Sequence, residues 1–160
     1  MADLFVPDEF NTARPNNYQL TFQRLPGVMF HLQNVTLPSM TISEIDLPNP
    51  MVEMMIASSG ISYDNLSISF MVDEGFYNWQ EIYDWMKDIW HPENGSTGDI
   101  RDQVSEAYLH ILSNNGNPIR EIIFHNCWPT VLSAIEMTTM AEAEPIVCDV
   151  DISYTHFTMV

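Results

Sequence analysis

Cys148-Asp149-Val150-Asp151-Ile152-Ser153-Tyr154 places an apolar or aromatic residue at every second position, with an acid or a serine between. Successive side chains of an extended chain point to opposite faces, so this period of two describes a strand with one face on a core and one in water. The same alternation sets Leu66, Ile68, Phe70 and Val72 against Ser67, Ser69 and Met71, and Tyr18, Leu20 and Phe22 against Gln19, Thr21 and Gln23. Ala107, Leu109 and Ile111 likewise oppose Tyr108 and His110. Half-wetted strands of this kind belong in antiparallel sheets. Between residues 107–112 and 119–124 stands Ser113-Asn114-Asn115-Gly116-Asn117-Pro118, whose Asn-Gly and Asn-Pro pairs predict the turn of a hairpin.

The period changes once. Trp79, Ile82, Tyr83, Met86, Ile89 and Trp90 recur at steps of three and four, which predicts an amphipathic helix over about 78–90 with these residues on its core face. Asn78 is the expected N-cap, Glu81, Asp84, Lys87 and Asp88 occupy the other face, and Pro92 with the 94–98 run ends the helix. Trp85 falls at the edge of the stripe, as a second contact. Neither period holds from Pro38 to Gly60. Leu47-Pro48-Asn49-Pro50 lacks ladder donors at its prolines, and Met51-Val52-Glu53-Met54-Met55-Ile56 is apolar without rhythm. A long arm loop over about 38–60 is expected, folded back over its own core or burying Leu47, Pro48, Met51, Met54, Met55 and Ile56 against a neighbouring subunit. Adaptable methionine suits the second role. The fold class is therefore mainly β: an antiparallel β-sandwich or small barrel with one flanking α-helix, the arm loop, and residues 1–11 as an N-terminal extension of a single domain.

The 160 residues fit one core, and 46% hydrophobic with 17% charged residues is foldable but poor in charge. What charge there is lies almost wholly on one side: 22 acids against 5 bases gives −17. Phosphate binding needs clustered cations, and Arg14, Arg24, Lys87, Arg101 and Arg120 are scattered, which excludes gripping nucleic acid or an anionic membrane. An acidic wall, in contrast, lets polyanions pass without sticking. No apolar run approaches the length of a membrane span, and synthesis in the cytoplasm is the default. Cys127 and Cys148 lack Cys-x-x-Cys spacing; they either pair or stay as buried thiols, and the burial preference of cysteine favours thiols.

Candidate chemistry is thin. Signatures of serine hydrolases, zincins, dinucleotide folds and P-loops are absent, and no cofactor is expected. His125 and Cys127 stand two apart and could share a strand face, but two ligands without a second pair make a weak zinc site. Asp149 and Asp151 share a face, which in so acidic a chain needs no catalytic role. Asp73-Glu74 reads as charge at the helix start. An enzyme would need His110 or His125 in one pocket with Asp149 and Asp151, and a monomeric binding sandwich would use exposed Trp85 or Trp128.

Several pieces in order resemble a known family: Thr12-Ala13-Arg14-Pro15-Asn16-Asn17-Tyr18-Gln19-Leu20, the Leu-Pro pairs at 37–38 and 47–48, residues 66–70 followed by Val72-Asp73-Glu74, the Trp-containing helix, Trp128-Pro129-Thr130 and the final alternating strand. Over about residues 12–157 the chain is similar to the tail tube proteins of contractile-tailed bacteriophages. The fold is shared with type VI secretion tube proteins and baseplate tube initiators, which Asn114–Pro118 and Phe124-His125-Asn126-Cys127 also resemble.

The resemblance implies a structural virion protein, not an enzyme: a hexameric ring stacked helically with copies of itself into a tail tube that conducts the genome during ejection. It implies a surrounding tail sheath, baseplate tube-initiator and tail terminator proteins, a tape measure protein and transient passage of DNA as partners, with synthesis in the host bacterial cytoplasm. It further places Ser62, Asp64, Ser67 and Ser69 on one strand, with Asp149, Asp151 and Ser153 on the last, as an acidic lining of the lumen. The alternative is a baseplate tube initiator or another tube-fold ring protein of a phage tail or contractile injection system. Initiators carry segments beyond the core, whereas this sequence ends at Val160 after its last strand, so the main tube is the expectation.

Overall fold

Strand β9, Pro118–Leu132, is 15 residues long and serves two sheets. Its first part pairs with β8 (Ser105–Leu112) and β11 (His156–Met159), and its last part pairs with β10 (Val147–Ser153). The change of partner centres on Asn126, whose φ of 54° lies in the left-handed region that asparagine tolerates better than branched residues do. Before it the buried positions are Ile122 and Phe124; after it they are Cys127 and Pro129. The register against β8 shifts at the same place, as a bulge requires. One strand thereby turns a corner from one layer to the next.

The structure, a computed structural model, describes residues 12–47, 54–93, 95–97, 99–139 and 144–160, with the backbone alone at Leu47, Met54 and Ile100. The first layer runs β1 (Tyr18–Phe22), β8, β9, β11, and the second runs β9, β10, β5 (Leu66–Met71), β2 (Leu32–Thr36), all antiparallel. The arrangement is sandwich-like and does not close as a barrel. Leu20, Phe22, Ala107, Leu109, Ile122 and Phe124 from the first layer meet Leu66, Ile68, Phe70, Cys148, Val150 and Ile152 from the second in one core. At about 1.5–3 kcal/mol per fully buried large aliphatic or Phe side chain, this contact holds the layers together.

Helix α1 (Pro26–Phe30), absent from the sequence expectation, opens with proline at its first position, where no N–H is needed, and adds Leu25 and Val28 to the core. Helix α2 covers Tyr77–Ile89. Asn78 is not its N-cap but its second residue, and it is buried. The Asn78 N–H donates to Asp73 Oδ1 while Asn78 Oδ1 accepts the Asp73 N–H, both at 3.3 Å, and its Nδ2 donates to the Met71 carbonyl at 2.7 Å. The N-cap position is Phe76, at φ 56° and without a side-chain cap bond, and the reciprocal pair with Asn78 sets the Asp73 carboxylate near the positive helix end.

The helix face also differs from the expected stripe. Tyr83 and Trp90 are 46% and 51% exposed, whereas Trp85 is 1% exposed. Trp85 packs in the core beside Ile82, donates its indole N–H to the Gln103 carbonyl at 2.6 Å and lies under the Arg24 guanidinium. Trp79, Met86 and Ile89 pack against the core more peripherally, and Tyr83 stacks on Trp79. Glu81, expected on the solvent face, accepts the Gly27 N–H at 3.0 Å and ties α2 to α1. A short ladder between β6 (Trp90–His91) and β7 (Ser96–Thr97), then α3 (Ile100–Gln103), leads from α2 back into β8.

Candidate assembly site

The arm is not a loop. Residues Met40–Leu47 form β3 and Met54–Tyr63 form β4, an antiparallel pair in a sheet of their own. Threonine and isoleucine at 41, 42 and 45 suit a strand, but Ser43-Glu44 breaks the alternation. The register slips between Ile42 and Glu44 for the same reason, with Ser58-Ser59-Gly60 across from it. Above the slip Ile42 faces Ile61; below it Ile45 faces Ile56. These four, with Met40 and Met55, are all exposed, although such residues are usually core. Contiguous apolar exposure of this extent is the property that interaction surfaces have.

The hairpin is held at its base. The Asp64 N–H donates to the Ser39 carbonyl at 3.1 Å, the Ser39 hydroxyl donates to the Asp64 carboxylate, and Tyr154 Oη donates to the Asp64 carbonyl at 2.9 Å. Tyr63 packs edge-on against Phe157. Of the expected contact residues, Met55 and Ile56 are exposed on β4, Leu47 and Met54 belong to the strands, and Pro48 and Met51 lie outside the described residues.

The second surface is the outer face of β5 and β10. Cross-strand register sets Ser67 opposite Asp151 and Ser69 opposite Asp149, and each serine hydroxyl donates to its aspartate at 2.5 Å. The Ser153 hydroxyl donates to Asn65 Oδ1 at 3.0 Å. Ser67, Ser69, Asp149, Asp151 and Ser153 form one acidic, hydroxyl-rich strip above a core of Leu66, Ile68, Cys148 and Val150. Ser62 and Asp64 are not on it: Ser62 is in β4, bonded to the Thr41 carbonyl, and Asp64 sits in the joint between β4 and β5, so 62–69 is not one strand.

The outer face of the first layer carries a different cluster. Tyr108 donates to the Glu106 carboxylate, which holds that carboxyl below its ordinary range, and His125, whose Nδ1 lies 3.5 Å from Glu106, adds to the effect. His125 stacks on His156 with ring centroids 4.6 Å apart, and His110 lies beside Glu121. Asn126 puts His125 outside and Cys127 inside, so they share no face. His110 and His125 are likewise on a different layer from Asp149 and Asp151, which ends the hydrolase arrangement, and buried Trp85 cannot serve a binding sandwich. Among the described residues no group of three or more His, Cys, Asp or Glu is placed to hold a metal. Cys127 and Cys148 are free and buried; burial pushes the Cys127 thiol up to about 12 and raises that of Cys148.

A sandwich that bears an exposed apolar hairpin and a strip of serine-paired acids has the surfaces found in proteins that work by assembling. The chain belongs to the family of the T4-like virus tail tube protein gp19, whose family model matches residues 14–158. It is thus a structural component of a phage tail with the tail tube fold, a virion protein and not an enzyme. It is 26% identical over 156 residues to the tail tube terminator protein of Enterobacteria phage T4, across 92% of this chain and 89% of that protein. In fold it is similar to the tube-terminating cap of the anti-feeding prophage, with TM-score 0.72 and 13% identity over 100% of this chain and 99% of the other. A sheath/tube terminator of the extracellular contractile injection system PVC gives TM-score 0.71 and 11% identity over 96% and 99%. Hcp1 from Flavobacterium johnsoniae gives TM-score 0.51 and 14% identity over 89% and 93%.

Proposed function

We propose that the chain forms a hexameric ring that ends a phage tail tube instead of building its length. The observation that carries this reading is the likeness, along nearly the whole chain, to a protein named tail tube terminator. It favours a tube-fold ring protein other than the main tube subunit. Closed rings need one repeated contact between copies, and the exposed β3–β4 hairpin supplies an apolar surface of the kind such contacts bury. The β5–β10 strip of Ser67, Ser69, Asp149, Asp151 and Ser153 is the proposed lumen wall: its acids are held by serine donors and would not grip phosphate. The partners follow from that position: the last ring of the tube, the tail sheath around it, the tape measure protein inside and DNA in transit, with the baseplate initiator at the far end.

Negative-stain imaging of the purified chain over a concentration series tests the reading. Isolated hollow rings that attach to one end of tubes built from a separate tail tube subunit are expected. Long hollow filaments from this chain alone would restore the main-tube role, and a monomer at every concentration would sink both.

A further inference from the structure

Behind the bend of β9 lies a groove that no side chain fills. Ile89 at the end of α2, Val104 between α3 and β8, and Trp128 just past the bend line it, together with Asn126, Thr155, buried Gln103 and exposed Arg101; its volume is about 490 Å³. Asn126 is pinned there by its Nδ2 donating to Thr155 Oγ1 at 3.2 Å. Arg101 is exposed, and its guanidinium has no ion pair or hydrogen bond among the described residues, in a chain that holds only 5 bases. Its acidic neighbours Asp99 and Asp102 stand on the same short helix, and Asp99 Oδ1 is engaged by the Arg101 backbone N–H at 3.1 Å. The lining is mainly apolar and includes one uncommitted cation.

The hairpin has the opposite character. Ile45 and Ile56 form an exposed cross-strand pair, and Glu44 and Asp46 flank Ile45 as exposed acids. We propose that the groove receives the hairpin of a second copy of this chain, Ile45 and Ile56 entering beside Trp128 and Val104 while Arg101 meets the carboxylates of Glu44 and Asp46. The inference rests on the ring reading and names the receiving side of its contact. Burial of the isoleucines gives the attraction, and the ion pair, withdrawn from water when the groove closes, fixes which way the hairpin lies.

Pairing Ile45→Cys with Val104→Cys in the full chain reads this contact directly, since the native thiols are buried. Mild oxidation is expected to give a ladder of covalent oligomers on non-reducing electrophoresis, and Ile45→Cys with Ile119→Cys, at the other end of β9, is expected to give none. A monomer closed on itself, equal ladders from both pairs, or intact rings without a cross-link would overturn the inference while leaving the ring reading standing; absence of rings from the unaltered protein would overturn both. Arg101→Glu is expected to raise the concentration for half-assembly by roughly tenfold, and adding Glu44→Arg and Asp46→Arg to restore it. No change on Arg101→Glu, or no recovery on the swap, would also refute the contact.

Discussion

The pair β5–β10 and the pair β3–β4 use the same chemistry and have opposite fates. Both are antiparallel and rich in isoleucine, yet Ile68 and Ile152 are fully buried while Ile42, Ile45, Ile56 and Ile61 stay about half exposed. The first pair has the opposite layer of the sandwich to close over it; the second forms a sheet of its own beyond a two-residue joint. The same residue types therefore stabilise the monomer in one place and can stabilise only an assembly in the other. The ring proposed above would need this separation, because a contact surface satisfied within the monomer would leave nothing to drive association.

The sharpest way to break the comparison is at the core. Trp85→Ala removes a buried indole, its hydrogen bond to Gln103 and its stacking under Arg24, and is expected to cost about 3–5 kcal/mol in denaturant unfolding. A loss below about 1 kcal/mol, the size of a surface change, would show that α2 is not part of the folding core. Ile45→Ser with Ile56→Ser should do the reverse, changing monomer stability by about 0.5 kcal/mol per site while abolishing association in sedimentation velocity. Unchanged assembly would remove the hairpin from the contact.

A smaller effect tests the polar face of α2. Glu81→Ala takes the acceptor from the Gly27 N–H and should cost about 1–2 kcal/mol, with Glu81→Gln losing less. The approach is close: a Cβ at residue 27 would stand 2.9 Å from the Glu81 carboxylate and would make that flexible side chain shift. If Glu81→Ala melts like the unaltered protein, the tie between the helices is unimportant.

The smallest effect lies on the first layer. The Tyr108 hydroxyl, and after it His125, lowers the Glu106 carboxyl below its ordinary 4.5. A carboxyl lowered by folding stabilises the native state above its unfolded value, and that contribution is lost as pH falls through the lowered folded value. Tyr108→Phe should move the Glu106 titration, followed by NMR, back toward 4.5 and shrink the acid-side loss of stability. An unmoved titration would mean that His125 alone sets it.

Local rhythm made most of the sandwich legible. The alternations at 18–22, 66–72, 107–111 and 148–154 name strands and buried faces, and the Asn-Gly turn at 115–116 names a hairpin, because each rests on neighbours in sequence. The arm was illegible as a strand pair because its register slip, at Ser43-Glu44 against Ser58–Gly60, breaks the period that would have revealed it. Tyr83 and Trp85 were misplaced on α2 for another reason. An apolar stripe fixes a face only to within its width, and the choice between them fell to Gln103 and Arg24, distant in sequence, which receive Trp85.

By itself, then, the sequence determined the strands at 18–22, 66–71, 107–112 and 147–153 with their wet and dry faces, the one long helix and the acidity of the whole, since these follow from residue type and spacing. Tertiary structure alone decided where β9 turns its corner at Asn126, which aromatic residue enters the core, that Asn78 lies inside the helix and bonds Asp73, and that the serines of β5 stand over the aspartates of β10. Each of these depends on which residues remote in the chain become neighbours, and that is settled only when the layers pack.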